Sequence, residues 1–251
     1  MIILVTGASS GFGAAIAERF VHDGHHVIGT ARRKERLDAL HARLGDAFFP
    51  MVHDITDTEA TLHLPERLPS ALRHIDVLVN NAGLALGLEK APAASVADWQ
   101  RMIDTNITGL TLLTRAVLPG MVERNRGHIV NLGSIAGSYP YPGGNVYGAT
   151  KAYVRQFSLN LRADLVGTAI RVTNIEPGLV GGTEFSNVRF HGDDGRAAQV
   201  YQGVEALGPQ DIAEAVAWVT GLPPHVNINT LEVMPVAQAF SPLTVHRSDG
   251  V

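Results

Sequence analysis

The sequence of 251 residues contains no cysteine. Disulfides, thiolate nucleophiles and Cys-ligated zinc or iron–sulfur centres are therefore excluded, and a reducing compartment is permitted. Charge is scarce too: 18% of residues are ionic and the formal balance is only −4, which gives no overall pull toward nucleic acid or an anionic membrane. No apolar run reaches the roughly 18 residues that a membrane-spanning helix needs, and the start, "MIILVTGASS", lacks the basic segment of a secretion signal. These features lead us to expect a cytoplasmic protein. The eleven histidines include no H-E-x-x-H or similar spacing. We read them as surface or turn residues and expect no metal. Internal repeats, low-complexity tracts and Ser/Gly/Pro linkers are lacking as well, so residues 1–251 are expected to form one domain.

What is present is a regular alternation. Short β-branched runs at Ile2–Thr6, Val27–Thr30, Phe48–Val52, Val77–Asn80, His128–Leu132, Arg171–Ile175 and Thr230–Val233 are separated by helical patterns. The helical stretches are Ala14–His22, Arg33–Leu44, a broken one ending at Leu72, Trp99–Arg124, Val146–Leu165 and Pro209–Thr220. Such an order predicts βαβ units and hence a Rossmann-type doubly wound α/β fold, a mostly parallel seven-stranded sheet with helices on both faces. Ligands of such sheets bind beyond the carboxyl ends of the strands. Two irregular segments, Leu84–Ser95 and Gly178–Gly195, follow strands and are the first candidates for a site. A third lies after Pro235.

The loop after the first strand, "VTGASSGFG", spaces Gly7, Gly11 and Gly13 as T-G-x-x-x-G-x-G. Glycine permits positive φ in the turn and lets backbone N–H groups approach a pyrophosphate. Gly7, Ala8, Ser9, Ser10, Gly11, Phe12 and Gly13 are thus candidate dinucleotide contacts. About 20 residues further on, an acid would hold the 2′-hydroxyl of NAD, whereas an arginine accommodates the 2′-phosphate of NADP. The stretch is "TARRKER", with Arg32 and Arg33 at that place and no acid before Glu35. The cofactor expected is NADP(H), with Lys34 and Arg36 as the solvated first turn of the next helix.

With "TGASSGFG", "NNAG" at Asn80–Gly83, Asn106, Ser134 and "YGATK" at Tyr147–Lys151 in order, the chain resembles the short-chain dehydrogenase/reductase family from Ile2 to about Val236. Within that family, "NVYGATKAYVRQFSLNLRADL" and "IEPGLVGGTEFSNVRF" look like the bacterial NADP-dependent 3-hydroxy acid dehydrogenases, which are also described as L-allo-threonine or serine dehydrogenases and malonic semialdehyde reductases. The resemblance implies hydride transfer at the 3-hydroxyl or 3-oxo carbon of a small acid.

Tyr147 and Lys151 are four apart, so a helix puts them on one face. A lysine ammonium favours the phenolate and lowers a phenol's pKa from about 10, which suits Tyr147 to general acid–base work. Ser134, after the fifth strand, can donate to the substrate oxygen. The resemblance adds further roles. Lys151 holds the nicotinamide ribose, and Asn106 bends its helix and anchors a water that relays the proton of Lys151. Asp54 and Ile55 bind adenine, Asn81 and Gly83 line the central groove, and Pro177, Gly178, Leu179, Val180, Gly181, Gly182, Thr183, Glu184 and Phe185 wrap the nicotinamide.

A carboxylate substrate calls for a cation near Ser134 and Tyr147. Arg189 is the candidate, with Tyr141 and Asn145 shaping the opposite wall. Competing readings are a sulfoacetaldehyde reductase, a 3-oxoacyl-thioester reductase, and a non-catalytic NADP-sensing module. The resemblance further implies a homotetramer built on the two longest helices. The tail at 236–251 is expected to pack on its own subunit or a neighbour.

Overall fold

The computed structural model describes residues 1–239, so most of the tail at 236–251, and with it the expected packing, lies outside the described residues. Seven strands, β1 (Ile2–Thr6), β2 (His26–Ala31), β3 (Phe48–Val52), β4 (Val77–Asn80), β5 (Gly127–Leu132), β6 (Ile170–Pro177) and β7 (Thr230–Val233), form one parallel sheet in the order β3-β2-β1-β4-β5-β6-β7. Parallel neighbours require crossovers, and these are the helices α1 (Gly11–His22), α2 (Lys34–Leu44), α3 (Thr58–Leu62), α4 (Val96–Ile103), α5 (Leu110–Glu123), α6 (Asn145–Asp164), α7 (Phe185–Arg189), α8 (Asp194–Gln199) and α9 (Pro209–Gly221). The strand order reverses between β1 and β4, which opens a crevice at their carboxyl ends.

The period of two in each strand sorts its side chains into two cores. Ile3, Val5, Val27, Val77, Val79, Val130 and Leu132 pack with Ile16 and Phe20 of α1, Leu37 and Leu40 of α2, and Ile212 and Val216 of α9. Leu4, Ile28, Leu78 and Ile129 face the other way, onto Leu113 and Val117 of α5 and Leu161 of α6. Each sheet face is therefore dry, and the polar side chains needed for chemistry gather at the strand ends.

Three expectations are altered. The stretch expected as one helix from Trp99 to Arg124 starts at Val96, where Ser95 caps the Asp98 N–H at 3.2 Å, and is interrupted by a π-helical turn, Asp104–Gly109. The segment Gly178–Gly195 is not wholly irregular, since it contains α7 and the start of α8. Two histidines are buried rather than superficial: His53 bonds the Thr61 hydroxyl at 3.0 Å, and His128 bonds that of Thr173 at 2.8 Å. Burial lowers the pKa of both rings, to about 3 at His128, so each is neutral and can share the interior with a hydroxyl.

Candidate active site

A cleft of about 800 Å³ runs along the carboxyl ends of the strands. Its floor is the glycine loop between β1 and α1. Gly7 and Gly11 have φ of +69° and +52°, and a Cβ at Gly13 would collide with the carbonyl oxygen of Gly7. Only glycine lets helix and strand come this close. Thr6 and Asn81 hold the loop to the turn after β4: the Asn81 amide donates to the Thr6 carbonyl at 2.8 Å, and the Thr6 hydroxyl accepts from the Asn81 and Ala82 N–H groups at 3.0 and 2.9 Å. Thr6 was not among the residues expected from sequence, although it opens the "TG" with which the loop begins.

At one end of the cleft stand Arg32, Arg33 and Asp54. Arg33 Nη2 donates to the hydroxyls of Ser9 and Ser10 at 3.1 and 2.8 Å, and Nη1 to Glu184 at 2.8 Å. Arg36 is not simply solvated as expected; it pairs with the same Glu184 at 2.7 Å, while Lys34 pairs with Asp38 at 2.6 Å along the helix surface. Burial would raise the Asp54 carboxyl, but the Thr56 N–H and hydroxyl at 3.0 and 2.8 Å, with Arg32 and His53, bring it below its ordinary value. Bare backbone at the loop and clustered guanidinium groups at the ribose end fit a dinucleotide that bears an extra phosphate.

At the other end α6 presents Tyr147 and Lys151, both buried, with the ammonium 5.9 Å from the centre of the phenol ring. Lys151 donates to the Leu132 carbonyl at 2.7 Å, which anchors it to the end of β5. Burial pushes Tyr147 up to about 12, against the opposing influence of its hydrogen bond with Ser134 and of Arg189, and it brings Lys151 down to about 8. The expected lowering of the phenol by Lys151 is therefore not found: loss of solvent raises it, and the opposing influences come from Ser134 and Arg189. Ser134 lies at the strand end in extended backbone, its hydroxyl accepting from the Ala136 N–H at 3.1 Å.

Arg189, the last residue of α7, reaches over this pair. Its guanidinium lies 5.5 Å from the Tyr141 ring centre and 5.7 Å from that of Tyr147, and it donates to the Tyr141 hydroxyl at 2.7 Å and the Gly87 carbonyl at 3.2 Å. Phe185 tilts against Tyr147 with centroids 5.9 Å apart, a contact that sequence spacing does not reveal.

All of the expected site residues line this cleft except six. Ala8 is buried beneath the loop, where its N–H meets the Thr30 carbonyl at 3.0 Å, and Gly13 is buried inside α1. Asn106, 1% exposed in the π-turn, spends its amide on the backbone of Leu84, at 2.9 and 2.8 Å, and on Thr150 at 3.0 Å. Gly181 and Gly182 sit against Tyr201 and Pro209, respectively. Asn145 is the clear departure. It turns from the cleft to accept from the Trp99 indole at 3.2 Å and donate to the Glu89 carbonyl at 3.0 Å, so it tethers the start of α6 instead of forming a substrate wall.

A doubly wound parallel sheet with a glycine loop, arginines beyond β2 and a Ser–Tyr–Lys group beyond β5 defines a nicotinamide-dependent oxidoreductase. The chain belongs to the short chain dehydrogenase family, whose profile matches residues 1–193. It is 65% identical over 248 residues to the NADP-dependent 3-hydroxy acid dehydrogenase YdfG of Salmonella typhi, with 99% of this chain and 100% of that one covered. The serine 3-dehydrogenase of Rhizobium radiobacter is 54% identical over 245 residues, 98% of each chain. The solved closed form of serine dehydrogenase complexed with NADP+ aligns with a TM-score of 0.97 at 63% identity, covering 99% of this chain and 100% of that one.

Proposed function

We propose that the protein is an NADP-dependent dehydrogenase of small 3-hydroxy acids, interconverting the 3-hydroxyl and 3-oxo forms of serine, L-allo-threonine, 3-hydroxyisobutyrate and the 3-hydroxypropionate/malonic semialdehyde pair. The observation that carries this reading is the convergence of the Arg189 guanidinium with Tyr141 on the Tyr147 phenol. A guanidinium beside the proton-transfer group suits a substrate whose carboxylate lies a short chain away from its reacting carbon. Bound cofactor supplies the hydride, or accepts it.

Ser134 orients the substrate oxygen, and Tyr147 gives or takes its proton. At neutral pH the buried phenol is protonated, poised to donate in the reductive direction. In the oxidative direction Lys151, an ammonium below its pKa of about 8, first releases one of its protons toward solvent and then takes up the proton that leaves Tyr147. The family role of Asn106, anchoring a relay water, is part of this proposal. Of the amide's contacts, the bond to Thr150 couples it to the helix of Lys151.

The whole chain would act as one catalytic domain with its substrate loop at about 178–195, a cytoplasmic homotetramer without nucleic-acid or membrane partners. Val122 on α5 and Tyr153 and Leu159 on α6 are exposed apolar groups that subunit contact would cover. Light scattering that gives a monomer would remove the assembly from the proposal.

The deciding experiment is a panel of 3-hydroxy acids assayed with NADP and NAD, together with sulfoacetaldehyde and a 3-oxoacyl thioester assayed with NADPH and NADH. Turnover of the acids with NADP preference is expected. Arg189→Ala should weaken apparent binding of 3-hydroxypropionate, raising its KM about tenfold or more, the size of a lost charge-assisted contact. Unchanged kcat/KM in that variant overturns the carboxylate clamp, and faster turnover of thioester or sulfonate reassigns the substrate.

A further inference from the structure

Glu184 stands where the substrate loop meets the arginines beyond β2. One carboxylate oxygen accepts from Arg33 at 2.8 Å and the other from Arg36 at 2.7 Å. Glu184 thereby takes one edge of the Arg33 guanidinium, through Nη1. The remaining edge, Nε and Nη2, rests on the hydroxyls of Ser9 and Ser10 at distances from 2.8 to 3.3 Å. That edge is the two-pronged fork that matches a phosphate, and the hydroxyls beneath it can turn from accepting to donating. Burial would raise the Glu184 carboxyl, but Arg33, Arg36 and Ser10 hold it below its ordinary range, so it is ionised at neutral pH.

Along the chain, Glu184 is the N-cap residue immediately before α7. The next residue, Phe185, packs against the Tyr147 ring, and the last residue of the helix, Arg189, lies over the same phenol. A helix of five residues rises only about 7 Å. One short rigid turn thus joins the arginines of the cofactor end to the proton-transfer group and the candidate carboxylate clamp.

We propose that Glu184 is a positioning residue that couples recognition of the cofactor's 2′-phosphate to the seating of α7 over the substrate. A phosphate on the Nε/Nη2 fork of Arg33 fixes the guanidinium, the fixed guanidinium with Arg36 holds Glu184, and Glu184 holds α7. Without the phosphate, that edge of Arg33 is held only by the neutral hydroxyls of Ser9 and Ser10, a weaker anchor for the guanidinium and for the carboxylate paired with it. The phosphate is therefore read twice, once in cofactor affinity and again in the substrate step, and the coupling is reciprocal. This inference rests on the NADP dependence and the Arg189 clamp proposed above.

The test uses the full-length protein with adenosine 2′,5′-bisphosphate and 5′-AMP as probes, and follows tryptic cleavage after Arg189 and Arg196. The bisphosphate is expected to slow cleavage about three- to fivefold more than 5′-AMP does, the scale of a partly exposed ion-pair network. In Glu184→Gln that difference disappears, while bisphosphate affinity by calorimetry is unchanged or tighter, because a negative charge has gone. Arg36→Gln, which leaves the Arg33 fork intact, should lose part of it. In steady-state assays of the parent protein, 3-hydroxypropionate shows a lower KM with NADP than with NAD, and the two values converge in Glu184→Gln.

Retention of the full protection difference in Glu184→Gln, or loss of bisphosphate affinity in step with it, overturns the inference. A parent protein that turns over no 3-hydroxy acid overturns the functional reading instead, and the protection experiment still decides the role of Glu184.

Discussion

Burying a phenol and an ammonium side by side shifts both toward their neutral forms. Tyr147 rises to about 12 and Lys151 falls to about 8. For Lys151 the sign of the stability linkage follows directly. An unfolded chain holds the lysine proton up to its ordinary value near 10.5. Between about 8 and 10.5 the unfolded state therefore binds more protons, and stability rises with pH across that window. Below it the buried charge costs on the order of 3 kcal/mol. Lys151→Met is expected to raise Tm at pH 7, with the gain narrowing toward pH 10.5, as measured by thermal unfolding across that range. An equal gain at both pH values would refute the burial penalty. Tyr147→Phe keeps the ring packed on Phe185 but removes the proton, so kcat should fall about 10²- to 10⁴-fold while NADPH affinity by fluorescence stays within about twofold. A matching loss of NADPH binding would mean that the hydroxyl serves binding rather than chemistry.

Among the elements, the glycine loop tolerates least. A Cβ at Gly13 meets the rigid backbone carbonyl of Gly7, not a mobile side-chain tip, so strand and helix must part. Gly13→Ala is expected to destabilise by about 1–3 kcal/mol and to weaken NADPH binding at the same time. Calorimetric unfolding together with cofactor titration checks this, and an unperturbed titration would show that the loop relaxes elsewhere. This element is fully legible in the sequence because its chemistry is local: three glycines at set spacing after an apolar run. The strands are legible for the same reason, since buried parallel strands read as short β-branched runs.

The π-turn at Asp104–Gly109 is not legible, because its cause is tertiary. Asn106 bonds both the N–H and the carbonyl of Leu84, more than 20 positions upstream, and Gly109 lets the chain pass close to Ile55. Arg36 escapes sequence reasoning on the same grounds. Its partner Glu184 lies far along the chain and is brought near only by the loop that carries α7. Arg189 stands out in the sequence for its charge in a loop after a strand, and its approach to Tyr147 depends on the backbone pairing of Arg189 with Gly87 at 2.9 Å. Residues that act within a motif can be read directly, whereas residues that join two motifs cannot.

At the scale of the molecule, the two dry faces of the sheet make folding sensitive to acid through the few polar groups they enclose. His128 on β5 is 2% exposed, bonded through Nε2 to Thr173 and held next to Arg171, whose guanidinium donates to the carbonyls that end α9. Burial first, and Arg171 second, push the ring down to about 3 from an ordinary value of 6.5. Below pH 6.5 the unfolded chain takes up a proton that the folded one refuses. Stability then falls by about 1.4 kcal/mol per pH unit until the folded ring titrates near pH 3, a total of about 5 kcal/mol. His53, lowered mainly by burial, adds in the same direction. His128→Gln keeps a polar partner for Thr173 and removes the titration. At pH 7, where the ring is neutral in both states, it should cost only about 1–2 kcal/mol of packing and hydrogen bonding. In acid the order reverses: the variant is expected to unfold at lower pH, with an uptake of about one proton fewer, as followed by circular dichroism and potentiometric titration. Coincident acid transitions in the two proteins would mean that His128 is already protonated in the fold, and the neutral ring between β5 and β6 would have to be abandoned.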